Sequence, residues 1–291
     1  MNTFVEAIGF GLVTSAIIGL AAVGLSLQVG VTNFINFAYG DVMTLGAYFA
    51  YVLNSHGWPI LAAAAAAGVG VAVVMVLVNK VVFKPFIVSR SKLITLLIVT
   101  LALSFIIQNG IVIIWGAGAY RYNVSTVGVI HLGPIVWSVA DVTIMGLAVV
   151  LLVALHLGLK RTTYGKALRA TSNNADLAAA CGINTWSVAA WTWALSGFFA
   201  AVAGVGLVAE VETLRPTVGF NELFLIFGAV ILGGIGQPYG AMAGAVIIGM
   251  VTSIAGAYVP GGYEIAIAFV VLAAVLLLRP QGLFAARGRS A

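Results

Sequence analysis

Long apolar stretches separated by short polar ones dominate the pattern of hydrophobic and polar positions along this chain. A helix that crosses about 30 Å of hydrocarbon needs roughly 20 consecutive apolar residues. Stretches of about this length recur along the whole chain and predict about eight or nine membrane-spanning helices. The predicted spans are 7–28, 37–54, 59–79, 93–115, 141–159, 186–209, 223–236, 240–259 and 262–278.

Two places in this pattern are interrupted. The stretch Val29–Asn36 contains Gly, Thr and Asn residues and is predicted to be poorly helical. The short span 223–236 ends in a Gly-rich sequence, which predicts a broken or re-entrant helix. Irregular backbone is tolerated at membrane depth where it lines a cavity, so interrupted helices often mark a transport pathway.

The composition supports a membrane protein. Only 7% of the residues are charged and 62% are hydrophobic, with 35 further glycines. A typical soluble domain has about 25% charged residues, and disordered or fibrous chains are far less apolar. The single Cys and three widely separated His residues exclude a disulfide framework and a short-spaced metal motif. The predicted fold is therefore all-α, a polytopic transmembrane helical bundle that forms a single domain over residues 1–291.

Basic residues predict the orientation of the bundle. Eleven of the thirteen Lys and Arg residues lie in three segments, which are 80–92, 160–169 and 279–289. Cytoplasmic loops carry the excess of Lys and Arg, so these segments are predicted to face the cytoplasm, with the C-terminus inside and the N-terminus outside. Because the positive charge is confined to these loops, it does not indicate a nucleic-acid partner. The outer segments are too short for a catalytic domain, so no enzyme activity is expected.

A few polar residues at predicted membrane depth are candidates for a translocation path. Asp41 opens the second span, where it either faces a cavity or caps free backbone N–H groups at the cytoplasmic end of the helix. Amides in the fourth span either contact solute or hold helices together. Glu222 opens the seventh span as Asp41 opens the second, which is compatible with an inverted repeat. The candidates are Asn33, Asn36, Asp41, Gln108, Asn109 and Glu222.

The segment between the fifth and sixth spans is predicted to contain a short helix on the cytoplasmic side. Asn174 or Asp176 can cap it, Leu177–Cys181 is a good helical stretch, and Gly182 is a natural stop. Basic residues precede it. The helix either lies against anionic lipid or serves as a docking element for a cytoplasmic partner.

Several motifs resemble those of branched-chain amino acid ABC-transporter permeases, and most closely the LivH-type members. The sequence from Gly165 to Asn184 resembles their coupling loop. Ile35–Asp41 is similar to their Asn-Phe-Ala-His-Gly-Glu segment, with Tyr39 in place of His and Asp41 in place of Glu. The Gly-rich 232–241 sequence and the ending at 279–284 also fit, so the resemblance spans residues 8–284.

This resemblance implies the permease subunit of an ABC importer in the bacterial cytoplasmic membrane. Residues 160–185 would form the coupling loop, which two cytoplasmic ATPase subunits would grip. A LivM-like second permease would complete the channel, and a periplasmic or extracellular solute-binding protein would deliver the solute. The coupling residues implied are Gly165, Arg169, Asp176, Ala178, Ala179, Gly182 and Ile183.

The chain contains no Walker motif, so ATP and Mg²⁺ are expected on the partner subunits and no cofactor or metal is expected on this chain. On the outer side, Arg121 and Arg215 are candidates for docking the binding protein. They could also anchor at lipid headgroups or pair with Glu210 or Glu212.

An ion-coupled secondary transporter of small solutes is the alternative function. It predicts that Asp41 or Glu222 is essential and that transport continues without ATPase subunits. The sequence does not identify the solute, because the same permease family also carries urea, short amides and other acids.

Overall fold

A computed structural model describes residues 2–123, 128–132, 135–259, 262–279 and 282–284. These residues form a helical bundle with one small antiparallel strand pair, in which Val129 is opposite Ser138 and Leu132 is opposite Ile135. The helices are α1 (Asn2–Thr32), α2 (Tyr39–Ser55), α3 (Ile60–Val78), a π-helical turn (Asn79–Phe83), α4 (Lys84–Val88), α5 (Leu93–Trp115), α6 (Val139–Arg161), α7 (Thr163–Asn173), α8 (Ala175–Ala180), α9 (Thr185–Val211), α10 (Val218–Gly233), α11 (Pro238–Tyr258) and α12 (Glu264–Leu278). The strands are β1 (Val129–Leu132) and β2 (Ile135–Ser138).

Six helices of the described chain are long and apolar enough to cross a membrane, and α10 and α12 are shorter apolar helices. Outward-facing apolar side chains are common on these helices. On α5, for example, Phe105 is 64% exposed and Ile113 is 84% exposed, as expected for a lipid-facing surface. The predicted all-α polytopic bundle is confirmed.

Small residues allow the central helices to pack closely. α1 runs antiparallel to α11, with Gly249 against Ser15 and Gly11 against Met250. A Cβ at Gly244 would collide with the carbonyl oxygen of Ala229, so this glycine lets α11 approach α10 backbone to backbone. The GxxxG sequence at 240–244 therefore acts in helix packing.

Three helix boundaries differ from the prediction. α1 continues to Thr32, so the break after it is confined to residues 33–38. α3 continues through the π-helical turn into α4, so Lys80 and Lys84 lie on a helix and not in a loop. Pro85 in α4 has no N–H to donate, which accounts for the disturbed helical hydrogen bonding just before it. α10 begins at Val218, which places Glu222 inside the helix and not at its start.

The segment after α6 contains two short helices where one was predicted. α8 corresponds to the predicted helix, and α7 covers the basic stretch before it. The Thr162 side chain caps α7 by accepting the backbone N–H of Gly165 at 3.2 Å. Leu168 faces a small apolar cluster that includes Leu27 and Leu159, and this contact fixes α7 on the bundle.

α2 begins inside the bundle and not at the cytoplasmic interface. Asp41, in its first turn, accepts a hydrogen bond from Ser104, the central residue of α5. The first turn of α10 lies beside it, because the Gly219 N–H donates to Thr44 Oγ1 at 3.0 Å. Of the two positions considered for Asp41, the structure favours the interior one over a cap at the cytoplasmic end of the helix. The first turns of α2 and α10 meet within the protein.

Candidate functional site

Residues 163–184 form a structured projection at the basic end of the bundle, and we call it the coupling surface. Its base is α7, which lies against the end of α6. The Arg169 guanidinium donates to the carbonyl oxygen of Leu159 at 2.6 Å. A Cβ at Gly165 would collide with the same carbonyl group, so only glycine permits this approach. Two of the predicted coupling residues thus hold α7 in place.

A second tie joins α7 to α9. The hydroxyl groups of Tyr164 and Thr192 lie 2.9 Å apart. Burial raises the pKa of Tyr164 to about 12, although the hydrogen bond to Thr192 works in the opposite direction. Tyr164 therefore remains a neutral hydrogen-bonding group at physiological pH. α7 is attached to both α6 and α9, so a force on it reaches two spanning helices.

The tip of the coupling surface is α8. Asn174 caps it by accepting the Leu177 N–H at 2.9 Å, and Ala178 is its buried residue. The chain leaves α8 at Gly182, where φ is +84°, and the Gly182 and Ile183 N–H groups bond back to the carbonyl oxygens of Ala179 and Ala178. The predicted cap and stop of this helix are confirmed.

The structure separates the predicted coupling residues into two groups. Gly165, Arg169 and Ala178 make internal contacts that shape the surface. Asp176, Ala179 and Gly182 are exposed at the tip, and Ile183 is half-buried. Sequence reasoning missed Leu177, which is 60% exposed between them. A large apolar residue in the middle of a short exposed helix is a signal that could have identified it.

A cavity of about 190 Å³ lies behind α7, between this helix, α1 and the start of α11. Its lining includes Ser26, Gly30, Arg169 and Gly236. A cavity therefore separates part of the coupling surface from the rest of the bundle.

An interior polar junction lies near the middle of the bundle. Asp41 is fully buried; its carboxylate accepts one hydrogen bond from Ser104 and one from Gln108 Nε2 at 2.8 Å. Gln108 thus links α5 to α2, in agreement with the alternative that this amide holds helices together. Ser104 was not among the sequence candidates, because a lone serine in an apolar span has no distinctive pattern.

The remaining path candidates do not gather at this junction. Asn33 is exposed and has φ of 57°, a left-handed conformation that Asn tolerates. Asn109 is exposed and donates to the Phe105 carbonyl of its own helix at 2.8 Å. Glu222 is half-buried on α10, within electrostatic range of Glu210 and Glu264. Asn36 is fully buried between α1 and α2.

The opposite end of the bundle brings the two candidate arginines together. The backbones of Tyr120 and Leu214 exchange hydrogen bonds of 2.9 and 2.8 Å. Arg121 and Arg215 follow these residues directly, and both are exposed. Glu210 accepts a hydrogen bond from Thr14 at 2.8 Å. The two arginines are thus neighbours on the surface, which sequence spacing alone does not indicate.

Within the described chain, no group of three or more His, Cys, Asp or Glu residues is arranged to hold a metal ion. Most of the basic residues lie at one end of the bundle. The coupling-surface end carries those of α4, α6 and α7, whereas the other end carries Arg121 and Arg215 together with Glu6, Asp141, Glu212 and Glu264. This distribution agrees with the rule that an excess of positive charge marks the cytoplasmic side.

A bundle of apolar spanning helices, with a structured basic projection at one end and a polar junction inside, defines a multi-pass membrane transport protein. Comparison with known proteins identifies its family. Residues 7–278 match the family described as the permease component of the branched-chain amino acid transport system, and the chain belongs to this family. The resemblance inferred from the sequence motifs is confirmed.

Several curated relatives cover almost the whole chain. The high-affinity branched-chain amino acid transport system permease protein LivH of Escherichia coli K12 is 28% identical, covering 96% of this chain and 95% of the relative. The probable permease LivH of Methanocaldococcus jannaschii is 30% identical over 94% of this chain and 90% of its own length. The ribose import permease RbsC of Haemophilus influenzae is 32% identical over 40% of this chain and 39% of its own length.

No solved structure shows significant similarity to this chain. The family is described as one component of a transport system, which implies that the chain works in a complex with other subunits.

Proposed function

We propose that this chain is the membrane-spanning permease subunit of an ABC importer that carries branched-chain amino acids into the cytoplasm. Membership in the permease family supports the class of activity, and the names of relatives such as LivH and BraD support the solute class. The chain itself supplies the path through the membrane. The energy comes from ATP hydrolysis on separate subunits, which hold the ATP and Mg²⁺.

The observation that carries this proposal is the construction of the coupling surface. Leu177 is exposed at the tip on α8, and the base is tied to α6 and α9 through Arg169 and Tyr164. An exposed apolar side chain on a rigid base suits insertion into a groove of another protein. A contiguous packed element is also what is needed to transmit a movement into the bundle. We assign this groove to the cytoplasmic ATPase subunits, one of which would contact each of two permeases.

The other subunits follow from the same arrangement. A LivM-like second permease pairs with this chain in the membrane, and lipid covers the remaining apolar faces. A periplasmic or extracellular solute-binding protein docks at the opposite end, where Arg121 and Arg215 are both exposed next to the bridged pair Tyr120 and Leu214. The protein resides in the bacterial cytoplasmic membrane with its C-terminus inside, because the basic residues collect at the coupling-surface end. We assign no catalytic residue to this chain.

The test is ATP-driven uptake of leucine by the complete complex in proteoliposomes, with variants at the tip. Leu177→Asp is expected to abolish uptake and to release the ATPase subunits on purification, because a carboxylate cannot enter an apolar groove without desolvation. Leu177→Met keeps an apolar side chain of similar volume and serves as the matched control. Normal uptake and normal subunit retention by Leu177→Asp would contradict the assignment.

A further inference from the structure

Two buried N–H donors have no partner in the region between α1, α2 and α9. The Nε1 of Trp193 and the Nδ2 of Asn36 belong to fully buried side chains and donate to no acceptor among the described residues. The orientation of Asn36 is fixed, because its Oδ1 accepts the Ala38 N–H at 3.0 Å. An indole N–H can only donate. Both groups are therefore unpartnered donors.

A third group lies in the same neighbourhood. Gln28 is fully buried on α1; its Oε1 accepts the Ser196 hydroxyl at 3.2 Å, and its Nε2 has no partner in the described chain. Ser196 lies about one turn after Trp193 on α9. The rings of Trp193 and Phe34 are 6.5 Å apart, and Asn36 follows Phe34 by two residues. We call Gln28, Asn36 and Trp193 the donor cluster.

Unpaired donors of this kind require an explanation. More than 90% of buried polar groups in native proteins have a hydrogen-bond partner, and an unpaired one costs free energy. All three offer an N–H in the same part of the bundle, and an oxygen acceptor is the kind of group that such donors bind. The Tyr39 hydroxyl donates to the Ser196 carbonyl at 3.3 Å and accepts from none of the three.

We propose that the donor cluster binds the carboxylate oxygens of the solute during its passage through the bundle. This inference rests on the proposed import function. Asn36 belongs to residues 33–38, the irregular backbone between α1 and α2, and interrupted helices often mark a transport pathway. Neutral donors bind a carboxylate more weakly than a cationic side chain does, which suits a site that must release its solute.

The experiment compares two donor-cluster variants with a matched control in the reconstituted complex. Trp193→Phe removes the N–H and keeps an aromatic ring, although phenyl is smaller than indole, and Gln28→Met removes the amide at similar volume. Tyr48→Phe is the control, because the Tyr48 hydroxyl is also buried and unpartnered but belongs to a different apolar cluster. Leucine uptake, ATP hydrolysis and the thermal unfolding midpoint are measured for each variant.

The donor-cluster variants are expected to lose at least about tenfold in uptake, the loss expected for one hydrogen bond to a charged group. Their unfolding midpoints are expected to fall, because Trp193→Phe leaves unfilled volume and Gln28→Met removes the acceptor of the Ser196 hydroxyl, so uptake is compared at a temperature at which every variant is folded. The control is expected to keep its uptake within about twofold of the wild-type value while its midpoint stays or rises. Uptake near the wild-type value in both donor-cluster variants would overturn the proposal. The three N–H groups would then be assigned to hydrogen bonds with bound water. If one variant fails to fold, the other decides.

The wild-type complex separates this outcome from the proposed function. If the wild-type complex takes up leucine and the variants do so equally well, the proposed role of the donor cluster is contradicted and the import function is supported. If the wild-type complex carries a different carboxylate and the variants lose that uptake, the assignment of a branched-chain solute is contradicted and the role of the donor cluster is supported.

Discussion

Gly40 and Gly219 touch backbone to backbone at the point where the first turns of α2 and α10 meet. A Cβ at Gly40 would lie 2.5 Å from the Gly219 carbonyl oxygen, and a Cβ at Gly219 would lie still closer to the Gly40 carbonyl oxygen. Thr44 joins the two turns, since its hydroxyl donates to the Gly40 carbonyl and accepts the Gly219 N–H. The N-termini of α2 and α10 are thus held in direct contact inside the bundle.

Alanine at either glycine is expected to push α2 and α10 apart. Because the obstructing atoms are backbone and cannot rotate away, Gly40→Ala and Gly219→Ala should each destabilise the protein by about 1–3 kcal/mol. Gly110→Ala is the matched control, since no atom lies within 4 Å of its Cβ position and alanine favours helix by up to about 1 kcal/mol. Thermal unfolding in detergent measures all three. Equal midpoints for Gly219→Ala and Gly110→Ala would contradict the packing described.

Asp41 distinguishes an ABC importer from an ion-coupled transporter. Asp41→Asn keeps a group that can bond to Ser104 and Gln108, whereas Asp41→Leu leaves both without a partner. The leucine variant is therefore expected to destabilise the attachment of α5 by about 1–3 kcal/mol. The asparagine variant should retain ATP-driven uptake in proteoliposomes, with no dependence on an imposed proton gradient.

The same measurement can reject this assignment. If Asp41→Asn abolishes uptake while the complex remains assembled, and if wild-type uptake follows the proton gradient without ATP, the carboxylate is a coupling group. The alternative of a secondary transporter would then be correct.

Local patterns predicted much of this fold, and long-range contacts account for what was missed. The span 93–115 matches α5 to the residue because an apolar run and its polar ends are local features. The Asn174 cap of α8 is equally local. The contact of Asp41 with Ser104 joins residues 63 positions apart, and nothing in either local sequence indicates the other. Whether Asp41 lies inside the bundle depends on that contact, so the sequence left its position open.

The coupling surface also combines features that local sequence predicts with features that depend on long-range contacts. Gly182 was predicted as the stop of α8 from its residue type alone. α7 was missed because its apolar positions are few and are interpretable only once α6 and α9 supply the surface that they cover. The role of Gly165 was likewise hidden, since the obstacle to a side chain there is the carbonyl of Leu159 in another helix.

Backbone conformation at Gly182 makes a second prediction for the coupling surface. Its φ of +84° disfavours L-residues, and a Cβ there would meet no atom within 4 Å, so the cost of Gly182→Ala is purely conformational, about 1–2 kcal/mol. This cost is expected to loosen the exit from α8 and to lower leucine uptake relative to ATP hydrolysis. Gly182→Asn is the control, because Asn adopts the left-handed conformation more readily. If Gly182→Ala and Gly182→Asn give the same ratio of leucine uptake to ATP hydrolysis, coupling does not require a rigid exit from α8.

Charge reversal at Arg121 and Arg215 tests the docking of the solute-binding protein. The two side chains are exposed neighbours, so the double variant Arg121→Glu/Arg215→Glu should weaken docking about fivefold at low salt, as expected for two surface ion pairs. At 1 M salt the Debye length is about 3 Å, and the difference from wild type should largely vanish. Arg90→Glu, a reversal at the coupling-surface end, is the control and should dock normally. Affinity is measured by surface plasmon resonance on the complex in nanodiscs, where equal affinities at low salt would show that these arginines only anchor the bundle at lipid headgroups.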